Sequence, residues 1–369
     1  MKILIVTNSV SIGNLSGGVE VVSKLHLRAL LKIGVSCDLL ALDRDSYSDQ
    51  LKPLNSFALP KARRILWSNR LGNFSINFIF TLWRNIKYYD VIHIHLCKDL
   101  VTTIALLICR IKQKPVVIQT HGMFLREDRK IDRLFNWLCK ELSRYSSFHL
   151  ILTESEDRWF LERNWQTYRI KIRNPVIAAT DMNLAKRKVY DVCFLSRFHV
   201  RKRPLILIES IKILRDAGHS LKVRMAGSDE GEWNKCEDKI KEYSLEENFD
   251  LSSQVSSKNI SKILNSSRIM VLPSFGEFVP MIVLESLSRG VPVICGRDCE
   301  LAQELESNAI CSLADEPNEL AQAIFELLNN ASLRNRIALK GAAWVGENCD
   351  PFKIARKLSE IYVNSVTYK

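Results

Sequence analysis

The chain has 369 residues, 47% hydrophobic and 25% charged, without a Pro, Gly or Ser tract; this excludes a disordered or fibrous protein and suits two domains of roughly 150 to 200 residues each. Its formal net charge of +12 is one-sided, since residues 1–180 carry 27 Lys and Arg against 15 Asp and Glu while residues 181–369 carry 26 of each. No run reaches the ~20 apolar residues of a membrane-spanning helix: Leu100 to Cys109 is bounded by Asp99 and Arg110, and the aromatic stretch Phe74 to Leu82 is cut off by Arg84 and Lys87.

The chain opens directly in a strand, KILIVTN, without the basic, apolar and small-residue succession of a secretory signal, so a cytoplasmic protein is expected. The loop SVSIGNLSGGVE follows, then a predicted helix from about Val19 to Ile33 that Gly34 closes, and a strand from Cys37 to Leu42. Further strands are predicted at Val91 to Ile94, Val116 to Thr120 and His149 to Thr153, with helical periodicity between them. The second half restarts the scheme with YDVCFLS, the loop RFHVRKRP and a helix to about Ala217. Strands then fit Leu221 to Ala226, Ile269 to Leu272, Pro292 to Cys295 and Ala309 to Leu313, and a last helix runs from Pro351 to about Asn364.

Strands alternating with helices imply parallel sheets covered on both faces. The expected fold is α/β: two doubly wound, Rossmann-like domains, residues 1–175 and 186–350, facing one cleft, with the helix of residues 351–369 packing back on the first. Periodicity is lost between Arg173 and Arg187, where the boundary is placed. Ten cysteines form no CxxC pair and sit mostly in apolar runs, as reduced core hydrophobes do. The basic first half lacks a helix-turn-helix, zinc-finger or RNA-recognition signature, so a phosphate-bearing substrate or an anionic membrane surface is expected and nucleic acid is not.

In open parallel sheets ligands bind beyond the carboxyl ends of the strands. The loops there hold Gly17 and Gly18, His121, Arg197 with Lys202, and Glu277. Arg197 and Lys202 precede a helix N-terminus, and two cations with helix amides suit a diphosphate. Glu277 in a loop and Glu285 one turn into the next helix are separated by something like the length of a diphosphate linkage, at ~1.5 Å of rise per residue, and a carboxylate's two acceptor oxygens suit vicinal hydroxyls. Glu285 lies inside the apolar run Met281, Ile282, Val283, Leu284 and Leu287, where an ionised carboxylate is costly without a partner. Glycines at 17 and 18 let a ligand approach backbone amides closely. His93 and His95 alternate on a strand and are read as structural.

These residues resemble the motifs of the retaining GT-B glycosyltransferases called glycosyl transferases group one. The family's E-x7-E matches EFVPMIVLE, its Arg-x4-Lys pair matches Arg197 and Lys202, its GGxE loop matches Gly17, Gly18 and Glu20, its HxH strand end matches His93 and His95, and its THG matches Thr120, His121 and Gly122. The resemblance implies that Arg197 and Lys202 neutralise the donor diphosphate, that Glu277 binds the donor sugar, that Glu285 binds the nucleotide ribose, and that His121 reaches the transferred sugar. It implies backbone amides for the sugar from the loop of Phe278, Val279 and Pro280, although Pro280 removes one donor. Phe278, Ser196 and Arg203 stand where the family commonly has glycine.

The implied reaction is sugar transfer from a nucleotide-diphosphate sugar to a saccharide or lipid-linked acceptor, with retention and with no metal or other cofactor, at the inner face of a bacterial membrane in polysaccharide or lipopolysaccharide synthesis. Asp43-Arg44-Asp45 spells a DxD but is read as a solvated turn. The rivals are a non-catalytic nucleotide-sugar-binding module, which turnover of donor would exclude, and a sugar-nucleotide epimerase or phosphorylase of the same architecture. A NAD-dependent oxidoreductase lacks its G-x-G-x-x-G after either opening strand.

Overall fold

The computed structural model describes residues 1–10, 17–43, 63–64, 73–125, 130–144, 148–179, 188–253, 255 and 257–367. These residues fall into two compact units, one made of the described residues up to Pro175 together with those from Pro351 onward, the other of Val176–Asp350.

The first unit holds six parallel strands, β1 (Lys2–Val10), β2 (Ser36–Asp43), β3 (Val91–His95), β4 (Val116–Gln119), β5 (Phe148–Ile151) and β6 (Arg169–Lys171), in the order β2-β1-β3-β4-β5-β6. Because side chains alternate along a strand, the two faces carry different cores. Ile3, Ile5, Leu39 and Ala41 point to one face, where they meet α1 (Gly18–Lys32) and the C-terminal helix. Leu4, Val6, Leu40, Leu42, Ile92 and Ile94 point to the other, beneath α2 (Ile76–Asn85), α3 (Leu100–Ile111), α4 (Lys130–Ser143) and α5 (Glu154–Glu162). Helix starts follow local chemistry: Asp99 caps α3 by accepting from Thr102 N at 2.8 Å, and Thr153 caps α5 by accepting from Glu156 N at 3.2 Å. Gly34, at φ +84°, ends the turn after α1 as the sequence suggests.

The second unit holds β7 (Tyr190–Leu195), β8 (Val223–Ala226), β9 (Phe249–Ser252), β10 (Ser267–Leu272), β11 (Val293–Cys295) and β12 (Cys311–Leu313), all parallel, in the order β9-β8-β7-β10-β11-β12. That is the doubly wound order, which reverses direction between β7 and β10. Its helices are α6 (Pro204–Asp216), α7 (Trp233–Glu242), α8 (Ser257–Asn265), α9 (Met281–Ser288), α10 (Glu300–Ser307), α11 (Pro317–Asn329) and α12 (Ala331–Asn348). The last helix, α13 (Pro351–Thr367), belongs to the first unit, where Ile354, Ala355, Leu358, Ile361 and Tyr362 join the core beside α1.

Two edge strands, β6 and β9, were not anticipated from the sequence. RIK and FDLS carry little apolar signal, and pairing with a neighbour alone makes them strands. All ten cysteines are free and buried. Among the described residues no helix is long and apolar enough to cross a membrane. Of the DxD turn, Asp43 ends β2, whereas Arg44 and Asp45 lie outside the described residues, as do Ser11 to Ser16 of the loop after β1.

Candidate functional site

The reversal point of the second sheet gathers the loops after β7 and β10. After β7 the chain runs through Ser196 and Arg197, buries Phe198, makes one 3-10 turn at Val200–Lys202, and enters α6 through Arg203 at φ +50° with Pro204 at the first helical position. After β10 it passes Pro273 and Ser274, exposes Phe275, turns at Gly276 (φ +66°) and reaches Glu277. The loops are tied together by Phe275 N donating to Arg201 O at 2.8 Å. The second is also tied to the segment after β11: Glu277 N donates to Asp298 O at 3.2 Å, and Glu277 O and Phe278 O accept from Glu300 N and Leu301 N at 3.1 and 3.0 Å.

This lacing brings two predicted residues into contact. Lys202 Nζ lies 2.5 Å from Glu277 Oε1, with the side chains 12% and 19% exposed. Arg197 stands apart from that pair: its Nη1 donates to Glu230 at 2.7 and 2.9 Å, and its side chain is 55% exposed. Phe278 and Val279 are half-buried beside Glu277, and Pro280 is the N-cap of α9.

Glu285 lies in α9 with its side chain half-buried, and among the described residues no group bonds its carboxylate. Desolvation holds its pKa above the ordinary carboxylate value, against the smaller pull of Arg289. Arg289 spends its guanidinium on Glu285 O, Ser288 Oγ and Ser261 Oγ, at 3.0, 3.3 and 2.8 Å. The protein thus leaves two acceptor oxygens half out of water without a donor.

Two glycines of this region escaped the sequence reading. At Gly227, just after β8, a Cβ would stand within the van der Waals envelope of the Ser196 carbonyl oxygen; at Gly296, just after β11, it would stand 2.5 Å from Ser274 O. Each lets a strand end press against a loop that carries a candidate residue. An isolated glycine after an apolar run is their only sequence trace.

In the first unit Gly17 is the N-cap of α1 at φ −61°, and Gly18 opens the helix; both are exposed, and no atom lies within 4 Å of where a Cβ on Gly17 would stand. His121 follows β4 in the left-handed region, φ +54°, which is uncommon for a non-glycine residue. Its Nε2 lies 2.8 Å from Nδ1 of His95, and the rings stack at 5.1 Å between centroids. Desolvation pushes its pKa down to about 3, so the ring is neutral at pH 7.

Glu156 of α5, also missed, organises this turn. Its buried carboxylate accepts from Thr120 Oγ1, from Gly122 N at 2.9 Å and from Leu152 N at 2.8 Å, clamping the residues on either side of His121. The run Thr153-Glu154-Ser155-Glu156 is a capping-box pattern, a signal legible in the sequence, but the carboxylate's reach to β4 is tertiary.

The family description Glycosyltransferase Family 4 matches residues 16–172, and Glycosyl transferases group 1 matches residues 180–344. No curated protein sequence matches the chain. Solved structures of similar fold include Anabaena Alr3699/HepE in complex with UDP (TM-score 0.74, 16% identity, 98% of this chain and 99% of that one). The sucrose-phosphate synthase of Thermosynechococcus elongatus aligns at TM-score 0.74 and 15% identity over 100% of both chains. The pneumococcal O-GlcNAc transferase GtfA, in complex with UDP and GlcNAc, aligns at 0.73 and 12% over 100% of this chain and 99% of that one. The fold is GT-B, with a group 1 glycosyltransferase match over most of the second unit and a Family 4 glycosyltransferase match over most of the first.

Proposed function

We propose that the protein transfers a sugar from a nucleoside diphosphate sugar, with UDP as the first base to test, to a hydroxyl of a saccharide or lipid-linked saccharide. The transfer proceeds with retention at the anomeric carbon and without a catalytic metal, in bacterial cell-surface polysaccharide or lipopolysaccharide synthesis. The observation that carries the reading is Glu285, a half-buried carboxylate with a raised pKa and no bonding partner among the described residues. A ribose diol offers two O–H donors matched to its two oxygens. Glu277, eight residues earlier at the reversal point, is the candidate for the sugar hydroxyls, with Phe278, Val279 and Pro280 shaping the loop beside it.

Negative charge grows on the diphosphate as the glycosidic bond breaks, and Arg197 and Lys202 are the cations to stabilise it. Glu230 and Glu277 hold those cations, so the diphosphate would exchange one anionic partner for another. Gly17 and Gly18 offer open backbone, and His121 offers a neutral imidazole to a sugar or acceptor oxygen. UDP comes first because the Anabaena and pneumococcal proteins are in complex with it.

Peripheral attachment to an anionic membrane completes the proposal. Three helices of the first unit, α2, α3 and α4, carry exposed Ile76, Phe80, Trp83, Leu107, Ile111, Leu134 and Trp137. Arg84, Lys87, Arg110, Lys112 and Arg133 are exposed on and beside them, with Lys112 Nζ 3.8 Å from the Trp83 ring centroid. Sedimentation with anionic vesicles that weakens as salt rises is expected, and binding indifferent to salt would count against it.

The deciding experiment is thermal unfolding with UDP-, GDP- and ADP-sugars in EDTA, on the wild type and on Glu285→Ala. Stabilisation by one nucleotide class, lost in the variant, supports the donor site. No shift with any donor at saturating concentration overturns it in favour of a relict cleft.

A further inference from the structure

Four of the chain's seven histidines meet in the first unit, on the sheet face covered by α1 and α13. His93 and His95 alternate on β3 and share that face. His26 comes down from α1, and all three side chains are buried. The His93 and His95 rings stack at 4.6 Å between centroids, and His26 lies 5.7 and 5.4 Å from them. We propose that this cluster is a transition-metal site, with His26, His93 and His95 as imidazole ligands to an ion of the Zn(II) or Co(II) type.

Three observations point the same way. One ring nitrogen from each histidine lies within 4.8 Å of those of the other two. Three atoms within 4.8 Å of one another all lie within about 2.8 Å of some common point, so shifts of under about 1 Å reach the 2.0–2.1 Å of a metal–imidazole bond. The second observation is unmet bonding capacity: both ring nitrogens of His26, Nε2 of His93 and Nε2 of His95 are buried with no partner among the described residues. An apolar core has no use for four orphaned nitrogens, and leucine would fill the space more cheaply.

The third is the outer shell. The other nitrogen of each strand histidine is already held, His93 Nδ1 by Tyr362 Oη at 2.7 Å and His95 Nδ1 by His121 Nε2 at 2.8 Å. With the protons on the two Nδ1 atoms, where Tyr362 Oη and His121 Nε2 stand to accept them, both Nε2 lone pairs are free to ligate. Metal-bound histidines are oriented by just such an outer hydrogen bond.

The ligand set selects the ion. All-imidazole coordination without a carboxylate or carbonyl suits Zn and its neighbours and disfavours Mg(II) and Ca(II), which require oxygen. A water would complete the coordination as a fourth ligand, and the site would be structural, tying β3 to α1 and, through the Tyr362 hydrogen bond, to α13.

The test uses the full-length protein without a histidine tag. It is stripped with chelator, loaded with Co(II), read by visible ligand-field absorption, and competed with Zn(II). One equivalent of Co(II) with four-coordinate band intensity, displaced by one equivalent of Zn(II), is expected. His26→Leu, which removes a ligand while keeping the core apolar, should abolish the band. Tyr362→Phe, outside the ligand set, should keep it and lower affinity about tenfold or more. A histidine outside the cluster supplies the control, since His149→Leu should bind as the wild type does. Absence of the band in the wild type, or its persistence in His26→Leu, overturns the proposal. Should His26→Leu fail to fold, wild-type stoichiometry and the Tyr362→Phe affinity decide it.

Discussion

His149 offers the sharpest test of how the first unit responds to acid. It sits on β5 with both ring nitrogens buried and without a partner among the described residues, its ring edge-on to Phe160 and Trp165 at 5.4 and 5.7 Å. Desolvation, then Arg169 on the neighbouring strand, push its pKa down to about 3 from the ordinary 6.5. The sign follows from linkage: between those two values the unfolded chain binds a proton that the folded chain refuses, so stability falls as pH falls through about 6.5. At pH 5.0 the penalty is about 2 kcal/mol, against less than about 0.1 kcal/mol at pH 7.5, and any folded pKa below about 4 gives the same figure. His149→Phe keeps the ring shape and removes the proton. Urea unfolding followed by hydrogen exchange of the β5 amides, at pH 7.5 and 5.0, should show the wild type losing about 2 kcal/mol more than the variant. Parallel losses in the two proteins would refute a neutral buried imidazole at this position.

The remaining predictions concern the candidate site and its supports. Lys202→Met removes the partner of Glu277, and should cost about 1 kcal/mol of stability while weakening UDP binding about tenfold or more by calorimetry. Gly227→Ala drives a methyl group into the Ser196 carbonyl and should both destabilise the second unit by about 1–3 kcal/mol and weaken UDP binding, although residue 227 is not among the candidate ligand contacts; unchanged melting and affinity would contradict the close approach. Glu156→Gln turns a two-oxygen acceptor facing three donors into an amide with one oxygen, and should cost about 1–3 kcal/mol in chemical denaturation. A loss under about 0.5 kcal/mol would show that the clamp on the His121 turn carries no weight.

Much of the second unit's candidate site was legible because its residues are local in sequence. Arg197 and Lys202 lie within one loop, and Glu277 and Glu285 span one loop and the start of one helix, so spacing alone relates each pair. The Lys202–Glu277 contact was not legible, because it joins loops 75 residues apart that meet only where the sheet order reverses. Glu285 shows the opposite case. The sequence places a carboxylate in an apolar run, and only the fold decides that Arg289 turns away from it, toward Ser261 and Ser288.

The sequence by itself determined the alternation of strand and helix, the burial of the cysteines and the two restarts at KILIVTN and YDVCFLS, because periodicity acts over a few residues. Tertiary structure alone decided that RIK and FDLS are edge strands, since neither segment buries enough to be a strand without its neighbour. It alone set His26, 67 residues before His93, against the same sheet face, with Tyr362 of α13 hydrogen-bonded to His93 from the far end of the chain. The physical reason is common to these cases. A residue's pattern reports which face it turns inward, whereas the identity of what it meets there depends on which distant segment covers that face.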